Sequence, residues 1–130
     1  MIIEGYKDLG ILHKSLNYMV SLYKCTSSFP ILEASELVTD IRTAAMELCN
    51  NIVTGYAGYQ KSFSHSLDNA ENNLSLIVSN VDLSFQNGYI KQTEQELLVS
   101  EANQIMEMIA TLKNKTPKLM HDTKITLEAA

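Results

Sequence analysis

Apolar residues recur along this chain in steps of three and four, and residues that stop helices interrupt the pattern. In the first segment Leu9, Leu12, Leu16, Met19, Val20 and Tyr23 fall on one helical face. The pattern stops at Thr26-Ser27-Ser28, and Phe29-Pro30 bars its continuation, because a residue before proline is pushed out of the α region. A second stripe runs Leu37, Ile41, Ala44, Leu48 and Ile52, widened by Val38, Ala45 and Cys49, and is expected to end at Gly55 and Gly58. The third comprises Phe63, Leu67, Ala70, Leu74, Ile77, Val78, Val81 and Phe85, with Asn87-Gly88 as its stop. The fourth opens with Thr93-Glu94-Gln95-Glu96, which predicts a capping box between Thr93 and Glu96. Its stripe is Leu98, Ala102, Ile105, Ile109 and Leu112, flanked by Leu97, Met106 and Met108, and Thr116-Pro117 is expected to close it.

Helices of roughly 18 to 25 residues would each span about 27 to 38 Å. Matched lengths and short connections predict an all-α fold, an antiparallel up-down-up-down four-helix bundle over residues 1–114, followed by a C-terminal tail over 115–130. With 130 residues there is material for one core. Only 5 Gly and 2 Pro argue against an all-β chain, which needs a turn every dozen or so residues. Trp is absent, so aliphatic side chains and 6 Met must fill the interior.

Charge narrows the function. The formal net charge is −5, which is unfavourable for neutralising phosphates and releasing their counterions. Direct nucleic-acid binding is therefore a poor default. The balance is uneven: residues 1–112 carry −7, whereas Lys113, Lys115, Lys118 and Lys124 against Asp122 and Glu128 make the end +2. Such a tail serves as a tether for an acidic partner or, more commonly, keeps a terminus solvated. Cys25 and Cys49 are too few for a disulfide framework and too far apart for a C-x-x-C motif. No apolar run approaches a membrane span and the first residues lack the features of a signal peptide. The expectation is a soluble, cytoplasmic protein with no membrane association.

A search for chemistry finds little. None of His13, His65 and His121 has a Glu three residues before it, as a bundle di-metal site requires, and no H-E-x-x-H is present. Nucleophile-elbow and phosphate-loop patterns are absent, and Gly55-Tyr56-Ala57-Gly58 has no strand before it. The expectation is a protein that is not an enzyme and needs no cofactor or metal. Arg42, the only arginine, is either half of a surface ion pair with Asp40 or Glu47, or a partner-facing anchor whose planar guanidinium takes a carboxylate or phosphate. Arg42, Lys113, Lys115 and Lys118 are the candidates for contact with a partner or nucleic acid.

Several local patterns together resemble the bacterial four-helix-bundle family of proteins encoded by intervening sequences in large-subunit ribosomal RNA genes. Tyr6-Lys7-Asp8-Leu9 is similar to that family's opening aromatic-x-Asp/Glu-Leu, and Phe29-Pro30 to its Phe-Pro before the second helix. Leu37, Ile41-Arg42 and Ala44-Ala45 fall where the family shows Leu…Gln-Ile-Arg-Arg-Ala-Ala; Asn51-Ile52 and Gly55 correspond to Asn-Ile-Ala-Glu-Gly. Phe63, Leu67, Ala70 and Glu71 match the opening of the third helix, and Gly88-Tyr89-Ile90 the approach to the fourth. The resemblance covers about residues 6–112. Thr43 stands in place of the second basic residue, Val53-Thr54 in place of Ala-Glu, and after the glycine only Lys61 remains of the usual basic residues.

Relatives of that family include the accessory variability determinant of diversity-generating retroelements, a positively charged pentamer that works with a reverse transcriptase and its RNA. The resemblance therefore implies a homo-oligomer, with a pentamer as the candidate stoichiometry, and a protein or ribonucleoprotein partner such as a reverse transcriptase. Two functions remain in play. One is a non-enzymatic oligomeric assembly or adaptor module that presents a surface to such a partner. The alternative is a nucleic-acid-binding accessory of a retroelement reverse transcriptase.

Overall fold

A computed structural model describes residues 9–57 and 60–129, with side chains described within 10–56 and 63–115. Four helices follow in order: α1 (Leu9–Thr26), α2 (Ser35–Ala57), α3 (Gln60–Gln86) and α4 (Gln92–Ala129). Each packs on its neighbours in the chain, and α1 also packs on α4, which closes a four-helix bundle. Among the described residues there is no strand. The opening segment Tyr6-Lys7-Asp8 and Gly58 lie outside the described residues.

Three of the stripes go inward largely as their spacing predicts, although Leu37 and Val78 are only partly buried and Phe85, at the end of the third, stays 37 % exposed. Ile41, Ala44, Ala45, Leu48 and Ile52 of α2 are buried, as are Phe63, Leu67, Ala70, Leu74, Ile77 and Val81 of α3. On α4 the whole stripe of Leu98, Ala102, Ile105, Ile109 and Leu112 is buried. Each fully buried Leu or Ile contributes about 1.5–3 kcal/mol relative to exposure, and the four alanines let the backbones come close.

The first helix is turned from its expected orientation. Leu16 and Val20 stay 37 % and 47 % exposed, whereas Ile11, Ser15, Tyr18 and Leu22 face the core. The Tyr18 hydroxyl donates to the Leu98 carbonyl at 2.9 Å, which ties α1 to α4. A serine and a tyrosine in the inward row weaken its apolar signal, so the richer neighbouring stripe dominates the sequence pattern.

Helix ends show two agreements and three corrections. The first helix stops at Thr26, where the sequence predicts it. At Asn87-Gly88 the chain leaves α3 as expected: Gly88 has φ +79°, its amide donates to Phe85 O, and the Tyr89 amide reaches back to Ser84 O, both at 2.9 Å. That pair of bonds is a Schellman motif, in which the left-handed residue is normally glycine. Gly55, by contrast, does not end α2. It lies inside the helix, where an added Cβ would stand 2.9 Å from Phe63 Cδ1, so even a methyl group would crowd the Phe63 ring of α3. The fourth helix opens one residue earlier than Thr93, and the reaching carboxylate is Glu94, which accepts from the Lys91 amide at 3.4 Å; Glu96 accepts from Gln92 Nε2 instead. Thr116-Pro117 does not end α4, although Pro117 has no amide to offer the Lys113 carbonyl. The expected tail at 115–130 thus continues α4 as far as Ala129, while its side chains from 116 onward lie outside the described residues.

Candidate functional site

Arg42 points back onto the end of α1. Its Nε donates to Thr26 Oγ1 at 3.0 Å and an Nη to the Tyr23 carbonyl at 3.2 Å. The guanidinium carbon lies 4.7 Å from the centroid of the Tyr23 ring. The last carbonyls of a helix lack intrahelical donors and carry the negative end of its dipole, so a cation here is doubly favoured. Neither expected ion pair, with Asp40 or with Glu47, forms among the described residues. Arg42 acts as a tertiary cap that fixes α1 against α2.

Lys113 is also engaged within the molecule. Its ammonium lies 2.7 Å from both Asp68 Oδ1 and Glu71 Oε1, one turn apart on α3. Hydrogen bonds to Asp68 and then Glu71 push its pKa up, against a smaller opposing effect of burial. Lys115 is exposed, and the Lys118 side chain lies outside the described residues. Arg42 is seven residues into α2 and Lys113 is 21 residues into α4. Because both helices start at the same end of the bundle, the two cations are roughly 20 Å apart along its axis. The bundle does not bring the candidate residues together. Among the described residues no three His, Cys, Asp or Glu side chains group as a metal set, and no helix is long and apolar enough to cross a membrane.

What does gather is an apolar seam. Met46, Cys49 and Val53 follow Arg42 by four, seven and eleven residues, so they share its side of α2. Leu12, Leu16 and Met19 precede Tyr23 by the same intervals and share its side of α1. Since Arg42 covers Tyr23 and the helices run in opposite directions, Met46 comes level with Met19, Cys49 with Leu16, and Val53 with Leu12. Val20 adjoins Leu16 on the next turn. Met46 and Val53 are each 49 % exposed, alongside the half-exposed Leu16 and Val20. Below Arg42 no charged side chain falls in either row. Isolated exposed apolar residues are ordinary, but a contiguous row on two adjacent helices marks an interaction surface. The breadth of the second stripe is visible in the sequence; the α1 half was hidden because those residues read as core.

A family model described as 23S rRNA-intervening sequence protein matches residues 7–111. No curated protein sequence matches the chain.

Proposed function

The chain belongs to the 23S rRNA-intervening sequence protein family, and from that premise we propose that it is a non-enzymatic assembly module. In this reading identical bundles associate through the α1–α2 seam, and the resulting closed homo-oligomer presents a surface to a protein or nucleoprotein partner. The carrying observation is the uncharged row of half-exposed Leu16, Val20, Met46 and Val53 on two adjacent helices. A second copy suits this seam because self-association of identical chains closes by rotational symmetry and covers the same apolar surplus on every copy. Five copies are the stoichiometry that the sequence resemblance implies.

Light scattering and sedimentation of the full chain test this reading. The expected outcome is a multimer that Val20→Glu together with Met46→Glu converts to a folded monomer, with an unchanged helical circular dichroism spectrum. A wild-type monomer at micromolar concentration overturns it. The second reading, a nucleic-acid-binding accessory of a reverse transcriptase, draws on the family's description and on exposed Lys115. Against it, five copies would carry about −25 and repel phosphate at range. Tight RNA binding at about 150 mM salt, weakening steeply as salt rises, would favour it instead.

A further inference from the structure

On the α2–α3 side a cleft is lined by Glu47, Asn50, Asn51, Asn69, Asn72 and Asn73. Asparagine is a poor residue for the middle of a helix, because its short amide competes with the backbone for hydrogen bonds. Five of them on facing helices need a compensating use, and internal bonding accounts for two. Asn51 Nδ2 donates to Asn73 Oδ1 at 2.8 Å, and Asn73 Nδ2 donates to Glu47 Oε2 at 3.3 Å. Asn73 is only 6 % exposed, so this relay is anchored in the bundle wall and holds the Glu47 carboxylate in place. The side chains of Asn50, Asn69 and Asn72 make no hydrogen bond among the described residues. Among the described residues no lysine or arginine lines the cleft and Glu47 has no ion pair.

We propose that this cleft binds an arginine side chain from a basic segment of a partner protein. A guanidinium carries donors in a planar fork and no acceptor. Glu47 supplies the countercharge and leaves Oε1 open to it. The carboxamide oxygens at the rim take the remaining donors, and their NH2 groups meet the peptide carbonyls beside the arginine. Phosphate is disfavoured at the same place, since Glu47 has no neighbouring cation to offset it.

The test uses the full chain and a fluorescein-labelled peptide of arginines spaced by glycine, with a citrulline version and a single-stranded RNA as the other arms. Polarisation should report binding of the arginine peptide only. Side-chain amide NMR signals of Asn50, Asn69 and Asn72 should shift with it. Glu47→Gln keeps the acceptor for Asn73 while removing the charge, and should weaken binding by about tenfold or more. Asn72→Ala, at an exposed position with no internal bond, should weaken it with an unchanged thermal transition. Unmoved asparagine signals, equal binding by both variants, or shifts caused by the RNA in place of the peptide would overturn the proposal. Failure here leaves the oligomer reading intact, because the arginine proposal rests on Glu47 and the asparagines whereas the seam rests on Leu16, Val20, Met46 and Val53.

Discussion

Arg42 Nε lies 3.0 Å from the hydroxyl of Thr26, the last residue of α1, and Thr26 Oγ1 in turn donates to the Leu22 carbonyl at 2.8 Å. One arginine thus closes a hydrogen-bonded chain between the second helix and the end of the first. Arg42→Ala is expected to cost about 1.5–3 kcal/mol, the range for a charged hydrogen bond, with a cation–π contact adding to it. Arg42→Lys keeps the charge but loses the planar fork, and should recover only part of the loss. Urea denaturation midpoints measure both. A variant as stable as the wild type would show that the cap contributes nothing and free Arg42 for the partner role.

Gly55 is fixed by proximity, with Phe63 Cδ1 at 2.9 Å and Ser66 Cβ at 3.3 Å from where a Cβ would sit. The Phe63 ring also stacks at a tilt on Tyr56, centroids 5.0 Å apart, so it has little room to retreat. Gly55→Ala should therefore destabilise the bundle by about 1–3 kcal/mol, as overpacking does, despite the better helix propensity of alanine. Adding Phe63→Leu should return part of that stability in a double-mutant cycle. If Gly55→Ala raises the denaturation midpoint, propensity outweighs the clash and the helices can part at low cost.

Ser15 is fully buried and its Oγ has no hydrogen-bond partner among the described residues. Leaving a buried hydroxyl unpaired costs about 1–3 kcal/mol. Ser15→Ala should accordingly be neutral or stabilising, an unusual outcome for a fully buried position. A drop in melting temperature would mean that the hydroxyl is satisfied in solution.

Much of the fold is legible in the sequence because three helices carry a nearly continuous buried stripe, even though α2, α3 and α4 also leave apolar residues such as Met46, Leu76 and Leu97 exposed. The α4 stripe, from Leu98 to Leu112, is buried without exception. On α1 the apolar residues cover two adjacent faces, and periodicity selects the richer one. The bundle buries the face that holds Ser15 and Tyr18, because the Tyr18 hydroxyl finds an acceptor on α4. Gly55 reads as a helix end because local rules see only its conformational freedom, whereas its role depends on Phe63 in another helix. Arg42 stands out in the sequence by being the only arginine, yet its partners are 16 and 19 residues away, beyond any helical spacing. The cleft residues also step by three and four, as Glu47, Asn50 and Asn51 on α2 and Asn69, Asn72 and Asn73 on α3, but a polar row of that kind reads as a solvated face, and only the folded chain brings Asn51 to Asn73.

Alkaline pH should weaken the bundle, because every resolved pKa shift has the same sign. Burial pushes the Tyr18 hydroxyl well above its usual value near 10, with the Glu101 charge and then Cys25 adding to it. The thiols of Cys25 and Cys49 are raised from about 9, in both cases chiefly by burial. Lys113 is raised by its bonds to Asp68 and Glu71. All four groups hold their protons more tightly folded than unfolded, so above their ordinary pKa values the native state binds more protons and stability falls as pH rises. The contribution is fully present below about pH 8 and declines from about pH 9 upward, first through the thiols and then through Tyr18 and Lys113. Urea midpoints taken at about pH 7, 9 and 10.5 should fall in that order. Tyr18→Phe removes one titrating group and should flatten the upper part of the curve while losing the bond to Leu98 at every pH. Lys113→Met should flatten it over the same range. A midpoint that holds steady to about pH 11 would mean that these groups titrate in the folded chain as they do in the unfolded one.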